Sequence, residues 1–241
     1  MKTSLVLSLL ILLPFLGVSQ INSSIDFLAG LDYSYRNLST SSDDALVLGI
    51  LENREVGESG KINWRFGVNY NRNLTSKLFF KTGLRLASVG FAGEKKTDLR
   101  WGSELIGGGF ELDLDLPREV QNINDYWFLE IPIGIRYEIC QKKLTPFIEL
   151  GVSPSIYLTT RVATKTDIGD SSTFDKNNQD SFNQFHLVGF ISMGLNYNLK
   201  ETIQIFGQPI FRYHLTELVD APIEEHLYVA GIEIGVRKKI N

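Results

Sequence analysis

The chain has 241 residues, a formal net charge of −4 and one cysteine, Cys140. The mild acidic excess argues against a nucleic-acid partner, and a single cysteine excludes a disulfide framework within the chain. No stretch rich in proline, serine or glycine divides the sequence, so we expect one folded domain.

The first residues have the pattern of an export signal. Lys2 precedes the apolar run Leu5–Leu13, and the small-residue segment Gly17–Ser19 follows. The apolar run is shorter than the roughly 20 residues that a membrane-spanning helix needs. We therefore predict a cleaved signal peptide over 1–19 and an exported barrel domain over 20–241.

Eight later segments alternate between apolar and polar residues, which is the two-residue period of a β-strand. They cover residues 25–36, 62–71, 78–91, 126–139, 146–158, 184–198, 202–214 and 227–238. The fourth segment alternates most strictly, with Trp127 and Leu129 on one face and Glu130 on the other. Strands of about ten to fifteen residues are long for a soluble sandwich and suit tilted membrane strands.

The connections between these segments are alternately short and long. The short ones cover 73–76, 141–143 and 199–201, and the long ones 37–60, 92–125, 162–183 and 215–225. An up-and-down barrel with tight periplasmic turns and long outer loops predicts this alternation, whereas a Greek-key sandwich does not. We predict an all-β fold: an eight-stranded antiparallel up-and-down transmembrane β-barrel with four long extracellular loops and short periplasmic turns. A soluble secreted β-sandwich is the architectural alternative.

In such a barrel the apolar face meets lipid and the polar face lines the lumen. Eight strands enclose an interior that side chains just fill, and opposite charges confined there should pair. We therefore predict a filled lumen held by a structural charge network, with inward glycines that leave room for the arginines. The predicted network comprises Arg65, Lys81, Arg85, Glu130, Arg136, Glu138, Glu149, Arg212, Glu233 and Arg237, with Asp26 on the same face.

Aromatic residues near the strand ends are typical of the two membrane interfaces, where an amphipathic ring meets both lipid and water. We predict an aromatic girdle formed by Trp64, Tyr126, Trp127, Tyr137, Tyr197, Tyr213 and Tyr228.

Two neighbouring segments carry a family resemblance. FLEIPIGIRYEI (128–139), followed after a short turn by PFIELGVSPSIYL (146–158), resembles the paired central strands of the PorT-like outer-membrane β-barrel family. The segments AGLDYSY (29–35) and QPIFRY (208–213) extend the resemblance. It implies an OmpA-like eight-stranded barrel in the bacterial outer membrane, in a family with some members linked to protein secretion or gliding. It brings no catalytic residues. The chain departs from the usual barrel pattern by ending in Asn241 rather than in an aromatic residue.

The three histidines, His186, His214 and His226, fall at predicted outer strand ends, and Glu217, Glu224 and Glu225 are close to two of them in sequence. A lipid-modifying barrel enzyme would use a serine, a histidine and an acid near the rim. However, no serine stands in a nucleophile motif, and no His-x-x-x-His spacing indicates a metal. We predict no catalytic residue, no metal and no cofactor.

The sequence favours a non-enzymatic barrel with a structural or protein-interaction role in the cell envelope. The alternatives are a narrow or gated solute channel and a lipid-modifying enzyme. The expected partners are outer-membrane lipid and lipopolysaccharide, the barrel-assembly machinery and another envelope protein.

Overall fold

The structure is a computed structural model that describes residues 23–104, 110–113, 115–175 and 182–240. The predicted signal peptide, 1–19, lies outside the described residues. Across those four stretches, no helix is long and apolar enough to cross a membrane.

The described part of the chain folds into strands and one helix. In chain order these are β1 (Ser23–Ser39), α1 (Ala45–Val56), β2 (Glu58–Asn73), β3 (Leu78–Gly93), β4 (Gly102–Glu104), β5 (Phe110–Leu112), β6 (Val120–Glu130), β7 (Ile133–Glu138), β8 (Leu144–Thr166), β9 (Ser171–Asp175), β10 (Phe185–Asn198), β11 (Ile203–His214) and β12 (Glu224–Ile240).

The long strands close into an antiparallel ring of eight. The order around the ring is β1, β2, β3, β6 with β7, β8, β10, β11 and β12, and β12 pairs back onto β1. This closing pair runs from Ser23 opposite Ile240 to Ser39 opposite Glu224. Closure gives each of the eight ring strands a partner on both sides. The predicted eight-stranded antiparallel barrel is confirmed.

The two ends of the barrel differ as predicted. At one end, called the turn end, residues 74–77, 139–143 and 199–202 connect the strands. At the other, called the loop end, the connections are 40–57, 94–119, 167–184 and 215–223. Several strands continue further into the predicted loops, and β8 reaches Thr166 rather than ending at 158. Its backbone stays paired there although its alternation of apolar and polar residues has ended, which is why the alternation alone did not reveal the extension.

The first long loop contains helix α1, which the sequence analysis did not predict. Asp44 caps it, because the Asp44 side chain accepts a hydrogen bond of 2.8 Å from the Leu46 N–H. None of its residues is buried. A helix does not follow the two-residue period of a strand, so the search for that alternation could not reveal it.

The strand between β3 and β8 is interrupted at Ile131 and Pro132. Proline has no N–H to give to a sheet ladder, so β6 ends at Glu130 and β7 begins at Ile133. The Ile131 N–H still donates to the Pro154 carbonyl at 2.8 Å, which keeps the segment attached to β8. The predicted strand 126–139 is therefore divided between two strands, β6 and β7, which together occupy one place in the ring.

The outward face of the barrel is apolar. Many of its large apolar side chains are between 38% and 67% exposed, as expected for a surface that meets lipid and not for the core of a soluble sandwich. They include Phe27, Leu31, Phe66, Val68, Leu84, Ile133, Ile135, Leu150, Val152, Ile191, Met193, Phe211, Ile232 and Ile234.

Candidate functional site

Twelve of the charged residues buried inside the barrel form one group, which we call the charge ladder. Six are basic and six are acidic, and each is at most 6% exposed. Every residue of the predicted network belongs to it: Arg65, Lys81, Arg85, Glu130, Arg136, Glu138, Glu149, Arg212, Glu233 and Arg237, together with Asp26 and Asp32. The sequence analysis omitted Asp32 from this network, although Asp32 shares the strand face of Asp26.

Near the turn end the ladder begins with Arg237. Its guanidinium donates to both carboxylate oxygens of Asp26, over 2.7 and 3.0 Å. Glu138 lies 3.7 Å from Arg237 and also accepts a hydrogen bond of 2.9 Å from the Asn196 amide. A bidentate pair of this kind fixes the orientation of both side chains as well as neutralising them.

In the middle of the barrel, Glu149 accepts hydrogen bonds from two cations. Lys81 Nζ lies 2.6 Å from Glu149 Oε1, and Arg136 donates to Glu149 Oε2 over 2.9 and 2.8 Å. The Arg136 guanidinium also stacks over Phe147, 4.1 Å from the ring centroid. Three adjacent strands, β3, β7 and β8, are thereby joined through their side chains.

Above this level the ladder crosses the lumen. Arg212 donates to Glu130 at 2.7 Å and to Asp32 at 2.6 Å. Arg65 lies 3.1 Å from Glu233 and 3.4 Å from Asp32. The Arg212–Glu130 pair joins β11 to β6 across the lumen, whereas the Arg65 pairs join β2 to the neighbouring β1 and to β12. The lumen is therefore filled by side chains that neutralise one another.

Inward glycines make this filling possible. A Cβ at Gly67 would come within 2.6 Å of Arg85 Cγ, so the absent side chain gives the arginine its space, as predicted. At Gly151 the space is used differently, because a Cβ there would lie 2.7 Å from the Phe190 ring and 2.3 Å from the Ile133 carbonyl oxygen. Phenylalanine rings thus share the glycine hollows with the arginines.

Towards the loop end the interior becomes apolar. We call this group the loop-end cluster: Val89, Phe91, Tyr126, Phe128, Tyr157, Leu218, Leu227 and Val229. Leu218 comes from the last long loop and is only 1% exposed, so this loop contributes to the buried core at the loop end. The sequence predicted a polar lumen along its whole length, but the lumen is apolar at this end.

Tyr126 was wrongly assigned to the aromatic girdle. It is 5% exposed and points inward, because it has the same parity as Glu130 and the interior at its level is apolar. The other girdle residues face outward and are half-buried or exposed: Trp64, Trp127, Tyr137, Tyr197, Tyr213 and Tyr228. Trp64 and Trp127 contact each other edge to face, with ring centroids 4.7 Å apart.

The histidines are at the loop ends of their strands, but two of them do not face the solvent. His186 and His214 point inward and pack against Phe128, with centroid distances of 5.1 and 5.3 Å. His226 faces outward and stacks on Tyr213 at 5.8 Å. The structure brings His226 close to Glu217 and Glu224 and separates it from the other two rings.

A second ionic group, which the sequence analysis did not identify, anchors the loops. Arg36 pairs with Glu58 and, at 2.5 Å, with Glu225. Arg54, in the last turn of α1, also reaches Glu225 at 2.8 Å. Arg36 is on the same face of β1 as Asp26 and Asp32, and this alternation in the sequence could have identified it as an inward residue. These contacts tie α1 to the rim of the barrel.

Asp167 connects the second and third long loops. Desolvation raises the pKa of its carboxyl, but hydrogen bonds from the backbone N–H groups of Glu119 and Arg118 outweigh this and hold that pKa below 3.8. Asp167 accepts from the Arg118 N–H at 3.0 Å, next to the start of β6. The loop end is thus braced by backbone as well as side-chain contacts.

The comparisons with known proteins agree with a membrane barrel. The family described as "Outer membrane protein beta-barrel domain" matches residues 18–216. No curated protein matches the chain.

Several solved structures are similar to the chain. Neisserial surface protein A has 13% identity over 93% of this chain and 99% of its own, with a TM-score of 0.45. The Pseudomonas aeruginosa outer membrane protein OprG has 10% identity over 91% and 96%, with a TM-score of 0.41. The attachment invasion locus protein Ail of Yersinia pestis has 12% identity over 91% and 99%, with a TM-score of 0.37. At these identities and TM-scores the likenesses carry no argument about activity. The family match covers most of the sequence, and the chain therefore belongs to the outer membrane protein beta-barrel domain family, whose members are located in the bacterial outer membrane.

Proposed function

We propose that the protein is a closed, non-enzymatic barrel that has a structural or protein-interaction role in the cell envelope. The charge ladder carries this proposal, because its six cations and six acids fill the lumen and are at most 6% exposed. A solute path along the axis would have to separate these buried pairs, and leaving a buried charge unpaired costs several kcal/mol, about 3 to 5 in measured cases. The proposed contacts therefore lie on the outer surfaces.

The loops are the proposed contact region. We propose that the loop end faces the cell exterior and that the export signal over 1–19 directs the chain there. Helix α1 supports an interaction role, since Leu46 is 70% exposed and Val56 is 77% exposed although both are apolar. Exposed apolar side chains on a tethered element are typical of a surface that binds a partner. Outer-membrane lipid, lipopolysaccharide and the barrel-assembly machinery are the other proposed partners.

We also propose that the chain is a PorT-like member of its family. The Leu129–Arg136 segment supports this, because its Leu-Glu-Ile-Pro core coincides with the interruption between β6 and β7. Membership would link the chain to a family in which some members take part in protein secretion or gliding.

Single-channel recording in planar bilayers tests the closed lumen. We expect no steady conductance from the purified barrel, and none from a Glu201→Gln control at the turn end. A stable open pore of porin size in the wild-type protein would contradict the proposal and favour a solute channel.

Photo-crosslinking in intact envelopes tests the interaction role. A photoreactive residue at Leu46 in α1 should give one defined protein adduct. The same residue at Met193, on the lipid face, should give none. Equal adducts at both positions would count against α1 as the contact element.

A further inference from the structure

Three metal-ligating side chains from separate positions converge on the outer surface at the loop end. Glu217, Glu224 and His226 each offer one ligand atom, and these atoms all lie within 4.8 Å of one another. We call them the rim triad. In the described part of the chain, neither carboxylate forms an ion pair with a basic side chain. Two carboxylates at this separation repel each other, and a cation between them would remove that repulsion.

The backbone holds the triad in place. The Leu218 N–H donates to the Glu225 carbonyl at 2.9 Å, which sets Glu217 beside the start of β12. The Asn183 side chain donates to the Glu217 carbonyl at 3.0 Å. Because Leu218 is buried in the loop-end cluster, the segment that carries Glu217 is anchored on the barrel rather than free in solution.

The environment of His226 is that of a metal ligand. Its Nδ1 lies 3.0 Å from the His214 carbonyl oxygen, which can only accept, so Nδ1 carries the proton and donates. In the neutral imidazole, the other ring nitrogen, Nε2, then has a lone pair that can bind a metal ion. Metal-bound histidines almost always donate their second N–H to a carbonyl or carboxylate in this way. The stacked ring of Tyr213, at 5.8 Å and 11°, further fixes the plane of the imidazole.

We propose that the rim triad binds one divalent transition-metal ion of the Zn²⁺ type. Zn²⁺ accepts both carboxylate oxygen and imidazole nitrogen as ligands in proteins, and three protein ligands leave a fourth position open to water. The imidazole favours Zn²⁺ over Mg²⁺ and Ca²⁺, which prefer oxygen ligands. The sequence analysis predicted no metal because it sought a local histidine repeat, whereas this site forms between a loop and a strand. The inference is independent of the proposed function.

Calorimetry on the full chain in detergent micelles, stripped of metal with a chelator, tests the site. Titration with ZnCl₂ should show one ion bound per chain, with clearly weaker binding of MgCl₂ and CaCl₂. The variants His226→Ala and Glu217→Gln should each weaken Zn²⁺ binding by at least about tenfold. The control Glu94→Gln removes a carboxylate of the loop end that lies outside the triad, and it should leave the affinity unchanged.

Heat-modifiable gel migration shows whether each variant is folded. If His226→Ala fails to fold, Glu217→Gln decides, because its side chain lies outside the paired strands. Loss of Zn²⁺ affinity in a folded triad variant, with Glu94→Gln unaffected, supports the site. Absence of saturable Zn²⁺ binding, or equal affinity in wild type and folded triad variants, overturns it.

Discussion

Glu149 shows how strongly one side chain can be determined by its neighbours inside this barrel. It is fully buried, and its two oxygens are divided between Lys81 and Arg136. Both cations are fully buried, so water cannot replace Glu149 as their partner. The residue is therefore an integral part of the packing inside the barrel.

We expect Glu149→Gln to destabilise the folded barrel by about 3 to 5 kcal/mol, because two buried cations lose their shared anion. Urea-induced unfolding in lipid vesicles, followed by tryptophan fluorescence, measures the loss. Glu201→Gln, an exposed change at the turn end, should alter the free energy of unfolding by less than about 0.5 kcal/mol.

A double variant separates charge from packing. Glu149→Gln combined with Lys81→Met keeps the interior neutral, so part of the lost stability should return. If Glu149→Gln costs no more than Glu201→Gln, water must reach the ladder, and the lumen is not filled as described.

At the scale of strands, close approach of neighbouring backbones depends on particular glycines. A Cβ on Gly151 would lie 2.3 Å from the Ile133 carbonyl oxygen, which cannot move without separating β7 from β8. Gly207 is different, because the nearest atom to its Cβ would be a side-chain carbon 4.0 Å away.

We expect Gly151→Ala to lower the free energy of unfolding by about 1 to 3 kcal/mol through overpacking. Gly207→Ala should be neutral or slightly stabilising, since alanine loses less backbone entropy on folding. Parallel urea titrations compare the two. Equal effects would mean that the strands around Gly151 can move apart freely.

The sequence predicted which segments form strands and which face of the strand each residue is on. It did not predict how far along the barrel axis each residue lies. Alternation assigned Asp26, Arg65 and Glu233 to the inward face, because the side to which a strand residue points repeats every two residues. It did not show where the interior changes from charged to apolar, since that depends on which residues of neighbouring strands lie at the same level. Tyr126 was misplaced for this reason. Helix α1 and the approach of Glu217 to His226 depend on loop contacts that no local pattern encodes.

For the whole molecule, closure of the ring is the defining property. Phe27 and Val236 lie opposite each other on β1 and β12, and both face outward. Partners in an antiparallel pair have Cα atoms about 4.5 to 5.5 Å apart, within reach of a disulfide.

In a Cys140→Ser background, we expect Phe27→Cys with Val236→Cys to form an intramolecular disulfide under mild oxidation. Thiol alkylation and mass measurement detect it. The control pair, Phe27→Cys with Ile232→Cys, is displaced by four residues, or roughly 13 Å along the strand, and should stay reduced. Efficient crosslinking of the control, or none in the test pair, would contradict the register.

The position of the loop-end cluster determines which surface residues of the barrel can be replaced. It begins beside the outward Trp64 and Trp127, where Tyr126 and Phe128 turn inward, so the same strands carry charge inside at one level and a conventional apolar core above it. The rim thus has an apolar core of its own, which the barrel strands and the last long loop form together. Residues at the loop tips can vary without disturbing the anchor, and new loop sequences could be grafted there while Leu218 and its buried neighbours are kept.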